Sequence, residues 1–258
     1  MKLRLGVRGM MWLTLVIMMW GIISCRTQEE KCLEEVLSLP LANKEELQKV
    51  LDHYKDDSLK YQAVCFLIRN MPFHAGYEGN ALKHYYQYFD IYAQGKLGPH
   101  EVIDSLKENS FSVSQLKRIE DIANIDSSLL VQNVDWAFKV WREQPWGKNV
   151  SFDNFCEFVL PYRLGDEPLG FWREDIYKRY NPILDSIRLL PQAQDPLVAA
   201  KVLMDSLVVE QSHFTGLFPA GPHLGPSVVS WRAGTCREFA DLVVYVMRCL
   251  GISCGTDY

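Results

Sequence analysis

Among the seven cysteines and six histidines of this 258-residue chain, one thiol has a setting suited to chemistry. Cys236 lies in the run Gly234-Thr235-Cys236-Arg237-Glu238-Phe239-Ala240. From there Phe239, Ala240, Val243, Val246, Met247 and Leu250 recur at helical spacing, and Gly251 supplies a left-handed stop. The pattern predicts a helix on one apolar face, with Cys236 in its first turn. Unpaired N–H groups and the positive end of a helix dipole favour a thiolate over a thiol. A cysteine so placed is a nucleophile. The alternative is one more buried helical cysteine.

The other reactive groups read as structural. Cys32, Cys65, Cys156, Cys249 and Cys254 match no paired zinc spacing. Cys249 and Cys254 are near enough to pair across a Gly turn, although buried free thiols are the simpler reading. His53, His74, His84 and His100 sit among helical segments without metal-like pairing, and no metal or cofactor site is expected. His213 and His223 fall in a Gly/Pro-rich segment before Cys236. They could approach it in space, yet read first as polar loop residues. Asp166-Glu167, Glu174 and Asp175 read as a solvated acidic turn. A net charge of −5, with no basic stripe beyond the first residues, argues against a nucleic-acid surface. The many aromatic residues are assigned to packing ahead of sugar or peptide binding.

The elements that must position these residues come next. Lys2, Arg4 and Arg8 precede an apolar stretch from Met10 to Ile23, which ends in Ile22-Ile23-Ser24-Cys25. That layout is similar to a bacterial lipoprotein signal, with cleavage before Cys25 and lipid on its thiol. A plain secretory signal or an N-terminal anchor is the alternative. Residues 1–24 are therefore set aside as signal peptide and 25–31 as a tether. Residues 32–210 form a helical N-terminal region and 211–258 a partial core around Cys236.

Within the helical region, Asn43 and Glu46 are expected to cap a helix carrying Leu47, Val50 and Leu51. Further helices are predicted over about 58–70, 80–94 and 127–143, with another starting at Pro99 and one opened by Asp195-Pro196. No stretch before residue 210 alternates like a strand. His213 to Ala233, with Pro219, Pro222 and Pro226, reads as a long functional loop.

The Gly-x-Cys-x-Glu-x-Ala run from Gly234, continued by Leu242, Arg248 and Gly251-Ile252, resembles the nucleophile helix of the transglutaminase-like superfamily, which has a papain-like thiol fold. The match covers roughly the last twenty-five residues. It departs at Ser253, where the family often has Pro, and at Cys254-Gly255, where Ala-Arg is frequent. Upstream, the Phe152–Glu157 run and Leu160-Pro161-Tyr162-Arg163 resemble a segment of exported lipoproteins carrying this domain, with no chemistry attached.

The resemblance implies a mainly α chain as given: a helical region plus the nucleophile helix and first strand of an α+β core. It implies a Cys, a His and an Asp in that chain order. The Cys attacks an amide carbonyl, the His moves protons and the Asp orients the imidazole. No histidine follows Cys236, and Asp257 is too near it in sequence, so the chain is expected to be a truncated form or a fragment. Trp231 is the candidate oxyanion stabiliser. The expected substrate is an amide in a peptide, glycopeptide or cell-wall fragment, with hydrolysis favoured over cross-linking. The expected location is the cell envelope, anchored to the membrane through lipid on Cys25. The rival reading is a lipid-anchored binding or scaffold protein that has lost catalysis.

Overall fold

A computed structural model of the chain describes residues 28–98, 100–102, 104, 113–209 and 221–256, with 213–214 by backbone alone. The signal segment, Cys25 and the helix start at Pro99 lie outside the described residues. The described chain is mainly helical.

Helices α1 (Gln28–Leu37), α2 (Lys44–His53) and α3 (Ser58–Asn70) come first. Asp57 caps α3 by accepting from the Lys60 amide at 3.1 Å, and the Met71-Pro72 step ends it as expected. Helix α4 (Asn80–Ala93) follows, then α5 (Asp121–Asn124) and α6 (Ser127–Glu143). Helices α7 (Phe152–Phe158) and α8 (Arg173–Tyr180) precede α9 (Pro196–Val209). Asp195 opens α9 through a 2.9 Å bond from the Leu197 amide. The short α10 (Val228–Trp231) leads into α11 (Cys236–Cys249).

The expected capping pair of α2 does a different job. Asn43 donates its side-chain amide to the Ile125 carbonyl at 3.4 Å, and Glu46 accepts from the Ser127 amide at 2.8 Å. Both tie α2 to the start of α6, whose unpaired first-turn N–H favours a carboxylate.

Two short strands occur before residue 210, where no stretch alternates like a strand. Strand β1 (Ala75–Glu78) pairs antiparallel with β2 (Lys117–Glu120), placing Ala75 opposite Glu120 and Glu78 opposite Lys117. Neither segment alternates apolar and polar residues, because pairing across some forty residues, rather than a buried face, makes them strands. A second, parallel pair of two residues each joins β3 (His213–Phe214) to β4 (Ala233–Gly234) within the Gly/Pro segment.

Two buried clusters organise the helices. One gathers α1, α2, α3, α6 and α7 around Leu47, Val64, Ile68, Phe138 and Phe155. The other gathers α4, α8, α9, α10 and α11 around Phe89, Tyr180, Leu203, Leu242 and Tyr245. Residues from Leu224 to Ile252 thus share a core with helices from the preceding region.

Helix α11 is buried on more of its circumference than one apolar face. Leu242, Tyr245, Val246 and Cys249 enter the core, whereas Phe239, Ala240 and Val243 are half-buried. Glu238, Asp241 and Arg248 are buried polar residues.

Candidate active site

The chain turns into α11 through a closed set of local bonds. Gly234 has φ +143°, and a Cβ there would come within 2.4 Å of Glu238 Cβ, so the turn requires glycine. Thr235 is the N-cap, and its hydroxyl accepts from the Arg237 amide at 3.2 Å. Glu238 reaches back to accept from the Thr235 amide at 2.7 Å and from its hydroxyl at 2.6 Å. This capping box satisfies the first amides reciprocally and leaves Cys236 as the first helical residue. Burial works to raise the Glu238 pKa, but the Thr235 bonds and Arg237 outweigh it and hold the carboxyl below its usual range.

Cys236 is exposed, and among the described residues its thiol has no hydrogen-bond or charged partner. It opens onto a groove of about 680 Å³ lined by Phe239, Ala240, Val243, Cys254 and Gly255. Cys249 and Cys254 are both free thiols, and the Cys249 Sγ donates to the Arg173 carbonyl at 2.9 Å.

A second stripe of α11 is polar and buried. Glu238, Asp241, Tyr245 and Arg248 follow one another at steps of three and four residues, so they share a helix face. Asp241 Oδ2 lies 2.8 Å from His223 Nδ1, and the Tyr245 hydroxyl donates to Glu167 Oε1 at 2.6 Å. Arg248 donates to the carbonyls of Arg163 at 2.9 Å and Phe158 at 3.2 Å. Asp241 is five residues beyond Cys236, about 140° around the helix. The His223–Asp241 pair therefore stands on a different side of α11 from the thiol.

The groups facing this stripe explain the upstream motif. Arg173 is fully buried and, among the described residues, has no carboxylate partner. It donates to the carbonyls of Val159, Leu160 and Pro161 at 2.7, 3.1 and 3.1 Å and to the Asn133 side chain at 2.6 Å. Burial pushes its pKa down to about 9 and that of Arg248 down to about 10. Arg163 Nε lies 2.8 Å from Asp121 Oδ2 without hydrogen-bond alignment, while Arg163 Nη1 donates to the Ala75 carbonyl at 2.6 Å. Burial pushes Asp121 up to about 6 against the pull of Arg163 and of the Tyr162 hydroxyl. The Leu160–Arg163 run thus supplies the acceptors that dock α8 and α11.

Glu167 corrects the reading of a solvated acidic turn, for it is 1% exposed. Its carboxylate accepts from the Leu164 and Gly165 amides at 2.7 and 2.8 Å as well as from Tyr245. Burial alone would raise its pKa, but Tyr245, Arg163 and the Leu164 amide hold it low. Asp166 is likewise engaged, accepting from the His223 amide at 2.7 Å. The helical spacing of Glu238, Asp241, Tyr245 and Arg248 was the sequence signal for this network.

Trp231 stacks on Phe89 at 5.6 Å and lies 5.2 Å from Tyr86, between ring centroids. Its indole N–H, the donor an oxyanion site would use, is given to the Asp90 carboxylate on α4. His74 is half-buried, and the loss of solvent lowers its pKa. Among the described residues no group of His, Cys, Asp and Glu is arranged to hold a metal. No helix there is long and apolar enough to cross a membrane.

Comparison with known protein families, with characterised proteins and with solved structures finds no match for this chain.

Proposed function

We propose that this chain carries the nucleophile half of an exported, lipid-anchored, transglutaminase-like cysteine enzyme acting on amides of peptides, glycopeptides or cell-wall fragments. The observation that supports it is an exposed thiol at the first position of a capped helix whose other sides are buried. Such a sulfur lies at the positive end of the helix dipole and is open to an incoming carbonyl. The remaining parts of the reading rest on the resemblance: a His and an Asp beyond the nucleophile helix, and lipid on Cys25. Strands bearing that His and Asp would find a ready surface in the apolar groove running from Cys236 past Val243.

Amide turnover also needs a general acid at the departing nitrogen, worth on the order of 10²–10⁴ in rate. His223 is held by Asp241 on another side of the helix, so it does not fill that role. This same observation favours a second reading, a binding or scaffold protein that keeps the fold without turnover. Release of ammonia or amine from glutamine-containing and muramyl peptides distinguishes the two. The assay compares this chain with a longer form carrying a downstream His and Asp. Turnover by the longer form that disappears in Cys236→Ala supports the enzyme; no turnover by either form supports the scaffold.

A further inference from the structure

We propose that His223 and Asp241 are a positioning pair that straps Gly221-Pro222-His223 across the first turns of α11 and fixes how Cys236 is presented. The proposal rests on the reading of Cys236 as the reacting thiol.

The strap is fastened at three places. The His223 amide donates to Asp166 at 2.7 Å, and its Nδ1 meets Asp241 at 2.8 Å. The Gly221 and Pro222 carbonyls accept from the Arg237 guanidinium at 2.9 and 3.3 Å. Arg237 neighbours Cys236 and also donates Nε to Glu238 at 2.8 Å, the residue that closes the capping box. The strap is thereby linked to the cap that sets the first turn.

Packing leaves the strap no freedom to slide. A Cβ on Gly221 would come within 2.3 Å of the Tyr85 ring, and one on Gly165 within 2.4 Å of the His223 ring. Asp241 is 1% exposed, and its Oδ1 has no hydrogen-bond partner among the described residues. The imidazole is thus the counterpart of a buried carboxylate, and removing it leaves that charge uncompensated.

The charges around the imidazole set how the strap responds to pH. Asp241 favours the imidazolium through its direct bond and its charge, and Asp166 adds to this. Burial and the Arg237 charge oppose it. Asp241 in turn faces Glu167 and Glu238, and burial raises its pKa against the pull of His223. For His223 the favourable side prevails, and its pKa lies above the ordinary 6.5. A raised histidine contributes stability that is fully present below its unfolded pKa. That stability is lost as pH rises through the folded value. The strap therefore holds tightly on the acid side and loosens as His223 deprotonates.

Hydrogen–deuterium exchange of the whole chain tests this, followed in peptides spanning 221–240 from about pH 5.5 to 8.5 and corrected for intrinsic exchange. The wild-type protein is expected to lose about tenfold in protection there as His223 deprotonates. The Cys236 alkylation rate should change over the same range beyond what thiol ionisation accounts for. His223→Asn keeps a donor near the Nδ1 position but cannot be charged, so it should flatten both profiles. Gly165→Ala pushes the ring off Asp241 and should lower protection at every pH. A flat wild-type profile, a His223→Asn protein retaining the wild-type profile, or a Gly165→Ala protein with unchanged protection overturns the proposal. None of these measurements requires amide turnover, so a scaffold without catalysis would leave the strap result standing.

Discussion

Tyr245 donates its hydroxyl to Glu167 at 2.6 Å, joining α11 to a carboxylate that is 1% exposed. Tyr245→Phe keeps the ring packed on Trp172, at 4.9 Å between centroids, and removes only the bond. Losing a partner of a buried charged group costs about 1–3 kcal/mol. The urea midpoint should fall accordingly, with circular dichroism unchanged. An unaltered midpoint would show that the bond contributes nothing net.

The buried carboxyls pull stability in opposite directions with pH. Glu167 and Glu238 lie below the ordinary 4.5, so their contribution is present above that value and lost as pH falls through their lowered pKa values. Asp121 lies at about 6 against an ordinary 3.8, so its ionisation on going from about 4 to 6 costs stability. Melting temperature against pH should show a steep acid limb in the wild type. Glu238→Gln should flatten that limb, and Asp121→Asn should flatten the fall toward pH 6. Superimposable curves for all three proteins would contradict both assignments.

Trp231→Phe separates packing from catalysis at that site. The ring can still stack on Phe89, while the bond to Asp90 is lost. The expected result is a stability loss of about 1 kcal/mol with the Cys236 alkylation rate unchanged. A slower thiol with unchanged stability would show that the indole acts on Cys236 and not only on packing.

Local signals in the sequence located α2, α3, α4, α6, α9 and α11 but not α1, α7 or α8. The spacing of Leu130, Val134, Phe138 and Trp141 gave α6, Asp195-Pro196 gave the start of α9, and Cys236 begins α11. Long-range contacts were not legible. Strands β1 and β2 owe their conformation to each other, and Asn43 and Glu46 serve a helix some eighty residues away. Glu167 looked solvated because a carboxylate's partners cannot be read from its neighbours in sequence. Likewise, nothing local to His223 indicated that Asp241, rather than Cys236, would face it.

Cys25 carries a separate expectation. If it is lipidated, mature protein should begin at Cys25 and partition into the detergent phase, and Cys25→Ser should be soluble or uncleaved. Unchanged partitioning of Cys25→Ser would remove the anchor.

The most direct test of Cys236 as the nucleophile is the rate of iodoacetamide alkylation at each thiol, mapped by peptide mass spectrometry on the folded chain. Cys236 is exposed, whereas Cys65, Cys156 and Cys249 are buried and Cys254 is half-buried. Burial raises the pKa of Cys65 and Cys254 and pushes Cys156 and Cys249 up to about 12, which further suppresses their thiolates. Cys236 should be modified first, about tenfold or more ahead of every other thiol including Cys32, with Cys236→Ala losing the fast phase. Equal rates at all thiols, or a Cys236 slower than Cys32, would mean that Cys236 is structural and that no nucleophile stands at the head of α11.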